Sequence, residues 1–397
     1  MIAEWVVLGR RLETVAVVVL WIAVVLRAPS TVRLPRQRGL WLAVATAAAA
    51  MTLSLVTGCL VRRTGESFHV LSLLTNLFGV VSASAVLDFV VTATGSGRRY
   101  RNALYFMTVG VILALVVEDR LAPSHAEHGI EHMGSCHPGL AYWLILIGAH
   151  LTADAACAAV CGRYSRRSDN RVTRTTLRLF GLGTAFAGLY WIGQGLRLAL
   201  PVDWVAAVLP FCMVLHALLR ASAITIPVVS AARQTVRRIM TIWRLWPLWY
   251  DLTSLVPHVV LDRRRSRPAE LLRPHGPFSL LQYRKIIEIR DALLVLQGYC
   301  RPSVPDRARA YLRTVRTPPV SHDAAVLACV LRQARRAMLD HLPPQPLPVE
   351  AAASRTADLH EETSFLVQVA MAYSSPVIRD FDSTEEAVRR DGRVPTV

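Results

Sequence analysis

Residues 140–161 read LAYWLILIGAHLTADAACAAVC and decide the fold of the chain. An α-helix needs about 20 mainly apolar residues to cross the roughly 30 Å hydrocarbon core of a bilayer, so Leu140–Cys161 is predicted to be a transmembrane helix. Its apolar residues are continuous and do not alternate with polar ones, which favours a helix over a strand of a membrane barrel. Its two ionisable residues, His150 and Asp154, lie one helical turn apart and therefore on one face.

Similar stretches precede and follow this one, all of them before residue 230. They are Leu12–Leu26, Leu40–Val61, Val70–Thr92, Asn102–Val117, Leu177–Leu200 and Val205–Val229. Together with Leu140–Cys161 they give about seven predicted transmembrane helices. The first can be extended back to Trp5, which would place Arg10, Arg11 and Glu13 inside it. It is followed by a basic loop and not by the small residues of a cleavage site, so we interpret it as a span and not as a signal peptide.

The composition of the whole chain agrees with a membrane protein. Of the 397 residues, 53% are hydrophobic and 18% are charged, whereas soluble proteins average about 25% charged residues. These values exclude a disordered chain, a disulfide-stapled secreted module and an ordinary cytosolic enzyme. The net charge of +17 rests on 45 basic residues, of which Lys285 is the only lysine. Such a skew is typical of GC-rich coding, so the positions of the arginines are more informative than their number.

The arginines are concentrated in alternate loops between the predicted spans. Thirteen lie in or directly beside the first, third and fifth loops, against five in the N-terminal segment and the second and fourth loops. Cytoplasmic loops of membrane proteins carry an excess of Arg and Lys. We therefore predict that the N-terminus is outside and that the C-terminal region is cytoplasmic.

Beyond residue 230 the sequence is more polar and contains no spanning run. Helices are predicted at Ala231–Trp246, Phe278–Cys300, Ser321–His341 and Leu359–Tyr373. Pro247 is expected to end the first of them, and four prolines in Leu342–Ala351 indicate a hinge. The predicted fold class is all-α, a polytopic bundle of about seven transmembrane helices followed by a small all-helical cytoplasmic domain. The predicted boundaries are 1–230 for the membrane domain, 231–341 for the basic juxtamembrane and helical domain, and 342–397 for the proline hinge, one helix and an acidic tail.

Two stretches of the C-terminal region resemble a known family. They are Arg244–Pro257, RLWPLWYDLTSLVP, and Tyr283–Leu296, YRKIIEIRDALLVL. Both resemble an actinobacterial family of integral membrane proteins that are labelled as transporters and have a conserved cytoplasmic C-terminal helical domain of unknown function. The resemblance implies the same plan of about seven spans and a helical domain, and an actinobacterial source. It carries over no catalytic residue.

Ionisable residues inside the predicted spans are the first candidates for a functional site, because they are costly in a bilayer. The five main candidates are Asp88, His150, Asp154, Arg197 and Arg220, and the polar residues Gln194 and His216 lie in the same spans. One interpretation is a proton or ion relay formed by Asp154 and His150 with an arginine as counter-ion. The alternative is that Asp154 pairs with an arginine to fasten the helices, while Asp88, Arg197 and Arg220 extend towards the membrane surfaces.

The fourth loop is rich in histidine and is a candidate metal site. His125, His128 and His132 have the spacing of one helical face, and His137 or Cys136 would complete a set of four ligands for Zn²⁺ or Cu²⁺. Two glycines in the loop weaken a helix there, which favours a solvated acidic loop instead. Sensing of external pH by the histidines is a third interpretation.

The helix that follows the seventh span is predicted to lie at the membrane surface. Arg233, Arg237 and Arg244 cluster on one side, and Trp243 and Trp246 provide rings of the kind that favour the headgroup region. The predicted partners of this helix are the lipid bilayer and anionic lipids of the inner leaflet. The alternative is an ordinary domain helix with a solvated basic face.

The sequence contains no motif of a known catalytic or nucleotide-binding site. GxSxG, a Walker-type GxxxxGK and a CxxC pair are all absent, as are helix-turn-helix and zinc-finger patterns. We therefore expect no enzyme activity, no cofactor and no binding of nucleic acid. Two function classes remain: a transporter, which the resemblance puts first, and a membrane-anchored sensor or scaffold that binds a cytosolic protein.

Overall fold

The computed structural model of the protein describes residues 2–33, 38–64, 69–93, 98–123, 128–132, 135–262, 265–315, 320–344 and 358–381. The chain divides into two compact units, Met1–Ala231 (unit 1) and Ala232–Val397 (unit 2). Within the described ranges both units are helical, apart from one short β-hairpin in unit 1. The predicted all-α fold class is therefore confirmed.

The residues of unit 1 that the structure describes form six helices, the hairpin and the first part of a long seventh helix. In chain order the elements are α1 (Ile2–Arg33), α2 (Arg38–Thr64), α3 (His69–Ala93), α4 (Arg98–Leu121), β1 (Gly129–His132), β2 (Ser135–His137), α5 (Leu140–Arg167), α6 (Arg171–Ala199) and α7 (Asp203–Leu255). The most extensive packing joins α5 to α6 and α2 to α3. Many large apolar side chains point away from the cores, and Phe106 is 79% exposed. Exposure of this kind is expected of a surface that contacts lipid.

Six of the described helices are long and apolar enough to cross a membrane. The qualifying stretches are Glu4–Pro29, Arg38–Val61, His69–Thr92, Arg98–Leu121, Leu140–Arg167 and Trp204–Leu255. The first begins at Glu4, so the first apolar helix does extend back past Trp5. The difference from the seven predicted spans is α6, a helix of 29 residues in which five glycines, Arg178 and Gln194 lower the mean hydropathy.

Helix α7 runs through Pro247 to Leu255, so the predicted end of this helix at Trp246 is wrong. A proline inside a helix removes one backbone hydrogen bond. Here its neighbours Trp246, Leu248 and Trp249 are buried in the core of unit 2. Burial of large apolar side chains contributes about 1.5–3 kcal/mol each, which offsets the lost bond.

The buried position of Trp246 also corrects its prediction as a lipid-interface residue. Its side chain is only 7% exposed, because it packs into the core of unit 2. Trp243 is 49% exposed, and the guanidinium of Arg267 lies 3.2 Å from the centroid of its ring. The predicted basic face is exposed at Arg233, Arg237 and Arg244. A lipid interface formed by these three arginines and Trp243 stays a prediction.

The described part of unit 2 comprises a helical stretch at 376–381, the end of α7 and five further helices. They are α8 (Arg267–Leu272), α9 (Phe278–Gln297), α10 (Val304–Thr314), α11 (His322–Leu339) and α12 (Leu359–Tyr373), and a 3₁₀ turn, Pro257–Val259, follows α7. The core includes Leu252, Ile289, Cys329 and Val369, which come from four different helices. Helix α12 therefore shares one core with α9 and α11.

The two stretches that carry the family resemblance pack against each other in unit 2. Glu288 accepts hydrogen bonds from Trp249 Nε1 at 2.5 Å and from the backbone N–H of Leu261 at 3.0 Å. Lys285 Nζ lies 3.1 Å from the centroid of the Trp249 ring and 3.2 Å from Glu270 Oε2. Burial lowers the pKa of Lys285, and the carboxylates of Glu270 and Glu288 oppose that effect. Two charged residues of the second stretch, Lys285 and Glu288, therefore contact Trp249 of the first.

A second buried polar contact in unit 2 leads to a prediction about pH. The hydroxyl of Tyr373 donates to Asp251 Oδ2, and the same oxygen lies 2.9 Å from Arg335 Nε. Burial, together with this hydrogen bond, raises the pKa of Tyr373 well above its usual value. Above pH of about 10, tyrosine ionises in the unfolded chain, whereas Tyr373 in the native state keeps its proton. Its contribution to stability is therefore full below that pH and is lost as the pH rises further.

We expect the Tyr373 contribution to the free energy of unfolding to fall by about 1.4 kcal/mol per pH unit above pH 10. Denaturant unfolding of the wild type and of Tyr373→Phe, followed by tryptophan fluorescence between pH 8 and 11.5, measures it. The difference between the two proteins should be constant up to about pH 10 and then shrink. A difference that stays constant to pH 11.5 contradicts the prediction.

Candidate functional site

A cavity of about 790 Å³ lies among the helices of unit 1. Side chains from α1, α2, α3, α5, α6 and α7 line it, and most of them are apolar. The ionisable residues that line it are Arg10, Glu13, His150, Asp154, Arg197, His216 and Arg220. The combination of apolar walls and a few converging polar groups is typical of a ligand-binding site.

Asp154 on α5 and Arg220 on α7 are the two most deeply buried charges of the cavity. Asp154 is 8% exposed and Arg220 is 2% exposed. The guanidinium of Arg220 acts on the carboxylate of Asp154 through space, but no direct ion pair joins them among the described residues. Asp154 Oδ2 and Arg220 Nε each have no hydrogen-bond partner within the described part of the chain. The two opposite charges therefore face one cavity without neutralising each other by contact.

Arg220 is held in place by neighbours on α6. Its Nη2 donates to Thr184 Oγ1 at 3.3 Å, and its guanidinium lies 4.9 Å from the centroid of the Phe180 ring. Helix α6 approaches α7 closely here, because a Cβ atom at Gly183 would lie only 3.2 Å from the carbonyl oxygen of His216. The glycine leaves room for this approach, which brings Thr184 within reach of Arg220.

His150 lies beside Asp154 on α5, but its contacts differ from the predicted ones. Its Nδ1 forms a hydrogen bond with the carbonyl oxygen of Leu146 at 2.9 Å, and its ring stacks on Trp191 with centroids 3.9 Å apart. A hydrogen bond between His150 and Asp154, which their spacing on one face would allow, is absent from the described contacts. The backbone carbonyl one turn earlier on the same helix competes for the imidazole, as it commonly does for polar side chains in helices.

The other two predicted intramembrane residues are Arg197 and Asp88, and only the first of them lines the cavity. Arg197 lines the cavity, and its Nη2 donates to the carbonyl oxygen of Ile130 in β1 at 2.8 Å. Asp88 lies away from the cavity lining, where its Oδ1 is 3.5 Å from Arg101 Nε and accepts a hydrogen bond from Tyr105 at 3.3 Å. The structure thus brings four of the five predicted residues to one cavity and leaves Asp88 outside it.

The cavity lining also holds polar residues outside these five candidates, among them Glu13, Asn76 and His216. Glu13 comes from α1, Asn76 from α3 and His216 from α7. Glu13 had a usable signal, because it falls inside the first span once that span is extended to Trp5. His216 also lies in a predicted span, four residues before Arg220, and its Nδ1 is 2.9 Å from the carbonyl oxygen of Gly183. Asn76 is uncharged and gave no signal.

A second group of polar side chains lies at one end of α3 and α4. Asp119 Oδ1 is 3.0 Å from His69 Nε2 and 2.8 Å from His128 Nε2. The side chains of Asp119 and His128 are 1% exposed, and that of His69 is 35% exposed. Of the four histidines predicted to bind metal, His128 belongs to this group.

The prediction that the histidines of the fourth loop lie on one helical face is wrong for the residues that the structure describes. Residues 129–132 and 135–137 form the antiparallel hairpin β1–β2, in which Ile130 pairs with Cys136. Helical spacing has no meaning in a strand, since successive side chains alternate between two faces. His137 is exposed in β2. His132 lies in β1, but its side chain is not among the described parts of the structure. His125 lies outside the described residues.

These observations define a helical membrane protein with a separate helical unit at its C-terminal end. Residues 233–375 of that unit match the model of a family described as a family of unknown function (DUF6545). The matching region contains both Arg244–Pro257 and Tyr283–Leu296. No curated protein and no solved structure is similar to the chain. The comparisons give no activity, and they support neither the transporter label nor an actinobacterial source.

Proposed function

We propose that the protein is a transporter of the carrier type, and that the cavity of unit 1 binds a small solute. The observation that supports this proposal is the placement of Asp154 and Arg220. Burying a charge without a partner is costly, and within a membrane domain such residues face a pathway or a partner. A solute that supplies both missing partners would offset this cost.

The solute class that fits best is a dipolar molecule, by which we mean a small solute with one positive and one negative group. Its positive group would pair with Asp154 and its negative group with Arg220, in each case by charge-assisted hydrogen bonds. The apolar walls would contact its carbon skeleton. The arginine distribution between the loops supports an orientation with unit 2 in the cytoplasm.

The experiment uses the purified full-length protein in detergent and then in lipid vesicles. Zwitterionic amino acids, betaines, simple amines, simple carboxylates and uncharged sugars are tested first for a rise in melting temperature. Ligands that bind only the folded state stabilise it by about 2.7 kcal/mol at 100 times their Kd. Solutes that stabilise the protein are then tested for uptake into vesicles.

We expect dipolar solutes to bind and to be taken up. Amines and carboxylates of the same size, which satisfy only one of the two charges, should bind about 10- to 100-fold more weakly, because each lost charge-assisted hydrogen bond is worth about 1.5–3 kcal/mol. Equal binding of an uncharged sugar, or no binding across the whole panel, would contradict the proposal.

A second candidate function is a membrane-anchored sensor or scaffold. It is favoured by the separate core of unit 2, the unit that contains the residues matched by the family model. Such a unit is suited to binding a cytosolic protein. Crosslinking in cells with the full chain, and with a chain shortened after Ala231, discriminates the two functions. A scaffold loses its crosslinked partner and its cellular effect in the short chain, whereas a carrier keeps its uptake.

A further inference from the structure

The histidines and the aspartate at the end of α3 and α4 carry an inference that is independent of the solute cavity. His69 is the first residue of α3, Asp119 lies in the last turn of α4, and His128 directly precedes β1. Three separate elements of unit 1 thus bring two imidazoles and one carboxylate together. One ligand atom from each residue lies within 4.8 Å of the others.

We propose that His69, Asp119 and His128 bind a zinc ion. In a tetrahedral site, zinc lies about 2.0–2.1 Å from histidine nitrogen and carboxylate oxygen, so two ligand atoms are about 3.3 Å apart. Two of the three distances in this group, 3.0 Å and 2.8 Å, are already close to that value. Small side-chain rotations are therefore enough to admit the ion.

The surroundings of the three side chains are those of a metal site. Asp119 and His128 are almost fully buried, whereas His69 is partly exposed and gives an ion a route of entry. The ring of Tyr142 lies against that of His128 with centroids 5.2 Å apart, and its hydroxyl accepts a hydrogen bond from Asn76 at 2.9 Å. Packing of this kind fixes the orientation of a ligand ring. With three protein ligands, a fourth position stays open for water or another ligand.

The site would fasten the hairpin to the membrane helices. His128 leads directly into β1, and the carbonyl oxygen of Ile130 in β1 accepts the hydrogen bond from Arg197. A bound ion at His128 would therefore restrain a strand that contacts a residue of the cavity lining. Zinc binding is expected to raise the melting temperature of the full-length protein.

The test is a zinc titration of the purified full-length protein after treatment with a chelator, with a fluorescent zinc indicator as competitor. We expect one equivalent of zinc to bind with a micromolar or lower Kd. Asp119→Ala and His128→Ala should each weaken binding by at least about 100-fold, since even the loss of an outer-shell partner costs 10- to 100-fold. His137→Ala is the matched control, because it removes an exposed hairpin histidine outside the group and should leave the Kd unchanged.

A further variant keeps the proposal testable if these proteins fold poorly. His69→Cys retains three ligands, and a bound Co²⁺ ion should then show the thiolate charge-transfer absorption that the wild type lacks. The proposal is overturned if the wild type binds no zinc below 1 mM, since the group is then a hydrogen-bonded network only. It is also overturned if His137→Ala, and not His128→Ala, abolishes binding.

Discussion

Vesicles that contain the Asp154→Asn protein are expected to take up a dipolar solute about 10- to 100-fold more slowly than wild-type vesicles at low solute concentration. The reason is that the amide keeps the shape of the side chain but removes the negative charge that would pair with the solute. Within the described part of the chain, Asp154 Oδ2 has no hydrogen-bond partner, and Arg220 acts on the carboxylate only through space. The amount of folded protein in the membrane should therefore stay unchanged.

Asp88→Asn is the matched control for this prediction. It removes the same charge from a predicted span, but Asp88 pairs with Arg101 and lies outside the cavity lining. We expect uptake by this variant to equal that of the wild type. If both variants lose uptake to the same extent, the loss reflects the charge of the membrane domain and not the cavity.

Arg220→Gln gives a second and independent measurement. Binding of an amine analogue should weaken in Asp154→Asn and be unaffected by Arg220→Gln, whereas a carboxylate analogue should show the reverse. If Asp154→Asn instead fails to accumulate in the membrane, Asp154 fastens the helices, as in the alternative interpretation, and the carrier site is contradicted.

Glu288→Ala is expected to destabilise unit 2 by about 3–5 kcal/mol, the usual effect of removing one member of a buried charged network. The change leaves Trp249 Nε1 and the N–H of Leu261 without their acceptor. It also removes one of the carboxylates that favour the charged form of the buried Lys285. A loss of this size is a large part of the total stability of a domain, which is about 5–15 kcal/mol.

Hydrogen exchange of the full-length protein, followed by mass spectrometry, measures this effect. Backbone amides of α9 and α11 should exchange at least 100-fold faster in Glu288→Ala than in the wild type, while amides of α5 and α6 in unit 1 should be unaffected. Glu361→Ala is the control, because Glu361 is exposed in the first turn of α12 and should leave exchange unchanged. Wild-type exchange rates in Glu288→Ala would show that the network contributes little.

The helices of unit 1 could be predicted from the sequence because they depend on local composition. Each long apolar run, such as Leu140–Cys161, is sufficient to specify a helix in a bilayer. The exceptions follow from long-range packing. Pro247 was expected to end a helix, but burial of Trp246 and Trp249 in unit 2 keeps α7 continuous.

The cavity could be predicted only in part. His150 and Asp154 share a helix, so their common face follows from their spacing alone. Their partners depend on how other helices pack, so the stacking of Trp191 on His150 could not be predicted. The group around Asp119 could not be predicted either, because His69 lies 50 residues before Asp119 in the chain. Only the fold brings these residues together.

Lys285 has one further consequence for experiments on this protein. It is the only lysine in the sequence, and it is 4% exposed beneath the tryptophans of α7. Reagents that acylate amines therefore find no accessible lysine side chain while unit 2 is folded. Acylation of Lys285 becomes a direct readout of the opening of unit 2, which can be followed in intact cells by mass spectrometry of a single peptide.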